Sequence, residues 1–372
     1  MPRPPHILIA GGGTGGHVYP AIAIADAIRA RRPEARVVFA GTKDRLEATA
    51  VPNAGYALHH ITVSGFQRNL SLRNLRFPIQ LAKGLMQSWR LVGAIEPAVA
   101  VGTGGYVSGP VLLAARLRGC PILIQEQNAY AGVTNRLLSF LAARVHLAFP
   151  EARDWVASEH ATVSGNPTRQ SLTQVDISEA RHVLDIPGDA RVLLVFGGSL
   201  GSAALNNAIE ASLDELLADE TVHVIWQTGS RYYDDIHERV PDRPRLRVLK
   251  YIERMDRAYA AADLALCRAG AITCSELMVT GTPAILVPSP NVVADHQTKN
   301  ARAMERAGAA RVVPESDLNQ QLAKRIRTLL ADDDARRQMT DAARREARPG
   351  AADEIAADVL SLAHSNRAAI HR

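Results

Sequence analysis

An α/β fold of two Rossmann-like domains, each built on a parallel sheet, is predicted by three observations. Short apolar strands alternate with helical segments, the alternation restarts near mid-chain, and several strands run straight into glycine-rich loops. In the first half, His6-Ile-Leu-Ile-Ala10 reads as a buried strand, followed by glycines and a helical pattern from Pro20 to Arg32. Arg36-Val-Val-Phe-Ala40, Ala98-Val-Ala-Val101 and Pro121-Ile-Leu-Ile124 continue as strands with helical segments between them, which implies right-handed crossovers. The second half restarts with Arg191-Val-Leu-Leu-Val-Phe196 and a helix from about Ala203. Val222 to Trp226, Leu246 to Leu249, Leu264 to Leu266 and Ala284 to Val287 complete it. The halves join near Gly165-Asn-Pro167, so the domains span 1–165 and 166–344. From about Ala335 the chain is helical and polar with a loose end, and a C-terminal helix over about 345–372 is expected to pack back on the first domain.

Composition narrows the class. The 372 residues, 47% hydrophobic and 22% charged, suffice for two cores. No apolar run approaches the roughly 18 residues needed to span a bilayer, and the N-terminus lacks the long apolar region of a secretory signal. Cys120, Cys267 and Cys274 are odd in number and have no zinc-like spacing, so reduced thiols in a reducing compartment are expected. That places the protein in the cytosol or peripherally on a membrane. A net charge of +5 suits an anionic partner, for which nucleic acid, nucleotide and acidic lipid all qualify.

Gly11-Gly-Gly-Thr-Gly-Gly-His17 directly follows the first strand and precedes a helix. Glycines allow close backbone approach to a ligand, and a helix N-terminus offers free N–H groups to an anion. Gly11, Gly13 and Gly16 also satisfy GxGxxG, so an NAD-dependent oxidoreductase is the alternative. That alternative requires an acid closing the second strand to hold the ribose, but the strand ends Phe39-Ala-Gly-Thr42, with Asp44 only afterwards. No glycine loop is followed by Lys-Ser or Lys-Thr, which excludes a P-loop. Two further loops, Gly102-Thr-Gly-Gly-Tyr-Val-Ser-Gly109 and Phe196-Gly-Gly-Ser-Leu-Gly-Ser202, also follow strands. One such loop is equally well a tight βα turn. Three at strand carboxyl ends favour a ligand bridging two sheets that face each other across a cleft. A non-catalytic nucleotide-binding module is the third class, opposed by His17 and Glu276 beside the same expected cleft.

These loops, with Gln125-Glu-Gln-Asn128, Gly165-Asn-Pro167 and Cys267-Arg-Ala-Gly-Ala-Ile-Thr-Cys-Ser-Glu276, resemble the MurG family of bacterial UDP-N-acetylglucosamine transferases. The similarity runs from about His6 to Val313. It implies the GT-B fold, with the donor held mainly by the C-terminal domain, and inverting transfer of GlcNAc from UDP-GlcNAc to the C4 hydroxyl of MurNAc in undecaprenyl-diphosphate-linked lipid I, giving lipid II. It further implies Ser199 and Arg169 near the donor diphosphate. Ala271, Ile272, Thr273, Cys274 and Ser275 would open a helix toward the phosphates, Glu276 would hold the ribose, and Ile252 would contact the uracil. Gln297, with His296 as the competing position, would meet the sugar hydroxyls. On the acceptor side Thr14, Gly15 and Gly16 match substrate-contact positions, and Asn128 matches a polar position facing the donor sugar. His17 is the candidate general base and Glu126 its competitor, since an imidazole titrates near neutrality. Leu200 and Ala269 depart from residues common in relatives and remove side-chain hydrogen bonds only. No DxD carboxylate pair for a metal accompanies the glycine loops, and no cofactor or metal is implied.

The resemblance also implies partners: cell-wall synthesis proteins, no nucleic acid, and the cytoplasmic face of the inner membrane, held peripherally. Between Glu47 and Glu96 there is no acid, while Arg68, Arg73, Arg76, Lys83 and Arg90 all fall there. Leu75, Phe77, Ile79, Leu81, Leu85, Met86, Trp89 and Leu91 are interleaved with them, and Pro78 suits the first turn of a helix running to about Ala94. An apolar face rimmed by cations fits an anionic lipid surface, and a helix packed on the first sheet explains the same apolar residues.

Overall fold

The computed structural model describes residues 4–63, 77–157, 159–318 and 321–370. The chain forms two compact units, Met1–Thr168 with Pro349–Arg372, and Arg169–Arg348.

In the first unit β1 (His6–Gly11), α1 (Gly15–Arg31), β2 (Arg36–Gly41), α2 (Glu47–Asn53) and β3 (Ala57–His60) form one wing. The other wing is α3 (Phe77–Ile95), β4 (Val99–Gly104), α4 (Ser108–Leu117), β5 (Ile122–Glu126), α5 (Val133–Ser139), β6 (Arg144–Leu147) and β7 (Ala161–Val163). The seven strands are parallel in the order β3-β2-β1-β4-β5-β6-β7. Strand order therefore reverses between β1 and β4, and a doubly wound sheet binds its ligands at the carboxyl ends flanking that point.

The second unit contains α6 (Ile177–Val183), β8 (Arg191–Phe196), α7 (Ala203–Leu217), β9 (Val222–Gln227), α8 (Tyr233–Arg239), β10 (Leu246–Leu249) and α9 (Met255–Ala261). It continues with β11 (Leu264–Cys267), α10 (Ala271–Thr280), β12 (Ala284–Leu286), α11 (His296–Arg306), β13 (Ala310–Val312), α12 (Gln321–Ala331) and α13 (Asp333–Glu346). Its parallel sheet runs β10-β9-β8-β11-β12-β13, with the reversal between β8 and β11. The last helix, α14 (Ala351–Ile370), belongs to the first unit.

Burial explains why the strands read as continuous apolar runs. In β1, Ile7 and Ile9 pack with α1 and α14 while Leu8 and Ala10 pack with α4 on the opposite face, and none of the four is exposed. Ile355, Ala356, Val359 and Ala363 seat α14 in this core, and each buried Ile or Val contributes on the order of 1.5–3 kcal/mol. Polar ties add direction: Asn366 Nδ2 donates to Ala98 O at 3.0 Å, and Arg31 pairs with Asp353 at 3.2 Å. The loose end expected from sequence is thus helical to Ile370. Another difference is the start of α1. Glycine disfavours helix, which pointed to Pro20, yet the helix begins at Gly15 and puts His17 in its first turn.

Candidate active site

In the first unit the loops after β1, β4 and β5 meet at one edge of the sheet. Glu47, fully buried, underpins the first of them. Its Oε2 accepts from the Gly13 N–H at 2.9 Å, and its Oε1 accepts from the Thr42 N–H at 3.1 Å and hydroxyl at 2.6 Å. Burial pushes the carboxyl up, but the hydrogen bonds from Thr42 and Gly13 outweigh it and leave the pKa below the ordinary value. An ionised carboxylate therefore takes the N–H that a dinucleotide fold would offer to pyrophosphate, and it repels a second anion there. This is why the GxGxxG form misleads. Thr14, exposed, is the N-cap residue, and Gly15 and Gly16 open the helix with first-turn N–H groups that have no intrahelical acceptor.

His17 is held from two sides. Its Nδ1 lies 2.9 Å from Thr103 O and 2.9 Å from Gln127 Oε1, while the Thr103 hydroxyl donates to His17 O at 2.8 Å. Two acceptors at Nδ1 require the proton there, which leaves the Nε2 lone pair as the imidazole's basic site. Close backbone approach makes room for this. A Cβ at Gly104, where φ is +101°, would come within 2.8 Å of the His17 ring, and one at Gly105 within 2.3 Å of Gly12 O.

Glu126 ends β5 and is buried. Its Oε1 accepts from the Asn128 N–H at 2.9 Å and Nδ2 at 3.2 Å, and its Oε2 accepts from the Gly132 N–H at 2.9 Å and Asn135 Nδ2 at 2.8 Å. Four donors saturate a carboxylate's acceptor sites. The competing base assignment is thereby corrected: Glu126 orders the loop that carries Asn128 and has no lone pair to spare for a substrate proton.

In the second unit the candidate residues follow the carboxyl ends of β8, β10, β11 and β12. Ser199 is exposed in the loop between β8 and α7, where Ser202 caps α7 by accepting from the Leu205 N–H. Gln227, unnoticed in the sequence, ties two of the candidate segments together. Its Nε2 donates to Gly198 O at 3.0 Å and its Oε1 accepts from the Ile252 N–H at 2.8 Å. Arg268 donates to Ser202 Oγ at 2.6 Å and to Val287 O and Pro288 O at 3.2 Å, and pairs with Glu315, so its charge is spent on bracing the loops.

Helix α10 opens at Ala271 behind Gly270, with Ile272 and Thr273 half-buried in its first turn. Ser275 is buried beside them. Cys274 is a correction. Its thiol is fully buried and its N–H already donates to Gly270 O at 2.9 Å, so it has nothing to offer a ligand. Glu276, 9% exposed, accepts from the Tyr259 hydroxyl at 3.1 Å and lies 3.5 Å from Arg169 Nη2. Burial raises its carboxyl above the ordinary value despite the downward pull of Arg169 and Tyr259. Arg169, expected beside a diphosphate, is paired with this acid. Gln297 Oε1 accepts from the Ser289 N–H at 2.8 Å, next to His296, which opens α11. Ala294 and Asp295 before it both have positive φ (55° and 54°), a strained conformation of the kind that collects at ligand clamps. Among the described residues no group of three His, Cys, Asp or Glu side chains gathers to hold a metal ion.

Residues 7–147 match the N-terminal domain and residues 192–355 the C-terminal domain of glycosyltransferase family 28. The crystal structure of Acinetobacter baumannii MurG is 32% identical, covers 96% of this chain and 100% of its own, and has a TM-score of 0.77. A Salinibacter ruber protein is 67% identical over 98% of this chain and 99% of its own length. It is the UDP-N-acetylglucosamine–N-acetylmuramyl-(pentapeptide) pyrophosphoryl-undecaprenol N-acetylglucosamine transferase. The chain belongs to the MurG family. As a MurG relative it is a glycosyltransferase of the GT-B class, and the oxidoreductase alternative has no support. A UDP-GlcNAc 2-epimerase from Neisseria meningitidis, 12% identical with a TM-score of 0.67 over 96% of this chain, shares the fold alone.

Proposed function

We propose that this MurG relative transfers GlcNAc from UDP-GlcNAc to the C4 hydroxyl of MurNAc in lipid I, with inversion, giving lipid II and UDP. The observation that carries the chemistry is the His17 imidazole, with Nδ1 committed to Thr103 and Gln127 and Nε2 left as a base. The C4 oxygen attacks C1 of the sugar, its proton passes to His17 Nε2, and the bond from C1 to the diphosphate breaks. The first turn of α10 and the Ser199 loop would take up the charge on the departing diphosphate. Glu276 would accept from the ribose hydroxyls, with Arg169 free to turn to the phosphates as the nucleotide displaces it. Ile252 would pack at the uracil, and Gln297 and His296 at the sugar hydroxyls. Thr14, Gly15, Gly16 and Asn128 would contact the acceptor side. Incubation with labelled UDP-GlcNAc and a lipid I analogue should release UDP and label the lipid. Absence of turnover by folded protein, with tight NAD binding instead, would reverse the reading.

The acceptor's lipid anchor calls for a membrane face. Arg68, Arg73, Arg76 and Leu75 lie outside the described residues, but α3 supports the reading. Ile79 (72% exposed), Met86 and Trp89 lie open beside the exposed Lys83 and Arg90, while Val92 enters the core. So α3 both packs on the sheet and presents an apolar stripe. The neighbouring α4 and α5 extend it with exposed Leu117, Val133 and Leu137, and none of the three helices contains an acid. No helix among the described residues is long and apolar enough to cross a membrane. The reading is peripheral attachment to the cytoplasmic face of the inner membrane, with cell-wall synthesis proteins as neighbours. Each cation near an anionic surface contributes about 1 kcal/mol, so Lys83→Glu with Arg90→Glu should weaken co-sedimentation with anionic vesicles by roughly tenfold or more. UDP-GlcNAc affinity should stay unchanged. Equal sedimentation of variant and parent would end the membrane assignment.

A further inference from the structure

Gln125 and Gln127, from Gln125-Glu-Gln-Asn128, meet Asn166, from Gly165-Asn-Pro167, in the first unit. Gln125, Gln127 and Asn166 are each at most 2% exposed, and their amides join in one line of hydrogen bonds. Asn166 Nδ2 donates to Gln127 O at 3.0 Å. Gln125 Nε2 donates to Asn166 Oδ1 at 2.9 Å. Gln127 Nε2 in turn donates to Gln125 Oε1, as well as to Thr103 O at 2.6 Å and Gln125 O at 3.0 Å. That leaves Gln127 Oε1 facing His17 Nδ1.

The direction of this line is not arbitrary. A side-chain amide can be turned end for end, but a backbone carbonyl only accepts. Because Gln127 O only accepts, Asn166 must aim its NH2 group there and present its oxygen to Gln125. Gln125 must then give its NH2 to Asn166 and its oxygen to Gln127. Gln127, whose NH2 also faces two backbone carbonyls, must turn its oxygen to His17. Reversing any one amide sets two donors or two acceptors against each other in a buried site, where an unsatisfied polar group costs roughly 1–3 kcal/mol.

We propose that Asn166, Gln125 and Gln127 form a positioning relay that fixes His17 as the Nδ1–H tautomer, with Gln127 the residue in contact and Asn166 the remote anchor. Thr103 O supports the same tautomer directly, and the relay holds the ring against it. None of the three amides touches the reacting atoms. The relay rests on His17 being the base, and it extends that role to a segment two residues before the chain leaves the first unit at Thr168.

The test uses full-length protein carrying 15N-labelled histidine, with Gln127→Met and Asn166→Ala compared with the parent. Methionine keeps the size of Gln127 without its polar atoms, and Asn166→Ala alters nothing that contacts His17. The parent should show His17 as a single Nδ1–H tautomer in its ring-nitrogen shifts. Both variants should show a mixture, with kcat lowered about tenfold or more and KM for UDP-GlcNAc within about twofold, the scale on which removing an outer partner of a functional histidine acts. A variant that merely unfolds would lose the histidine signal dispersion altogether, and in that case Gln127→Glu, which keeps the acceptor and can protonate on its other oxygen, should restore the tautomer. Parental tautomer and kcat in folded Gln127→Met and Asn166→Ala would overturn the relay. Parental kcat in His17→Asn would instead overturn the base assignment on which it rests.

Discussion

Replacing His17 with asparagine is expected to lower kcat by roughly 10²–10⁴-fold, the range over which general bases act. Asparagine is the informative choice because its amide nitrogen falls near the position of Nδ1. It can still donate to Thr103 O and Gln127 Oε1, so the first turn of α1 keeps its anchorage while Nε2 disappears. The loss should fall on kcat with lipid I analogue saturating. KM for UDP-GlcNAc should change by less than about twofold, because the residues proposed to hold the donor belong to the second unit. Glu126 offers the contrast. Its four bonds, to Asn128 twice, Gly132 and Asn135, make Glu126→Gln a loop defect whose symptom is reduced stability together with a raised KM for the acceptor. A His17→Asn enzyme within tenfold of the parent would remove the imidazole from the chemistry.

The fold was legible where strands are buried on both faces. β1, β4, β5 and β8 announce themselves because all or all but the first of their residues are buried, so an apolar run is the sequence that fits. β3, β6, β7 and β13 did not. Ala57-Leu-His-His60 and Ala161-Thr-Val163 are the edge strands of the first sheet and Ala310-Arg-Val312 an edge of the second, short enough that pairing with a neighbour makes them strands. β6 carries His146 at its centre, buried only because Ser164 Oγ meets its Nδ1 at 3.0 Å and Asp358, from α14, lies 3.2 Å from its Nε2. Local pattern does not contain a partner more than 200 residues away.

The candidate site divides in the same way. His17 was legible because the glycine loop, its helix and the imidazole are contiguous. The groups that make the imidazole a base were not, since Thr103 is 86 residues away and Gln127 is 110. Glu47 and Glu126 illustrate the converse. Both are acids next to glycine loops, and only the count of donors around each carboxylate shows that they organise backbone rather than move protons. The local pattern of α10 does not distinguish Glu276 from a solvated helix glutamate, and Tyr259 from the preceding helix is what marks it as buried.

Glu276 leads to a result in which stability and donor binding move in opposite directions. Its folded-state pKa lies above the ordinary carboxylate value because burial disfavours the charge, with Arg169 and Tyr259 only partly compensating. A raised folded pKa contributes stability below the unfolded-state value, and that contribution is lost as pH rises through the folded value. In the ligand-free second unit ionising the buried Glu276 is therefore a cost to stability that grows as pH rises. Glu276→Gln removes that cost, keeps an oxygen for the Tyr259 hydroxyl, and releases Arg169, whose side chain is already 58% exposed and easily hydrated. The variant should melt above the parent at pH 7.5, and the gap should shrink toward pH 4, where the parent protonates. Donor binding should go the other way. An amide oxygen replaces a carboxylate that would accept from both ribose hydroxyls, and hydrogen bonds to a charged group contribute about 1.5–3 kcal/mol, so KM for UDP-GlcNAc should rise roughly 10–100-fold. Thermal unfolding at the two pH values and donor titration in the turnover assay measure the two halves separately. A variant less stable at pH 7.5 would mean that the Arg169 pair outweighs burial. An unchanged donor KM would take the ribose away from Glu276.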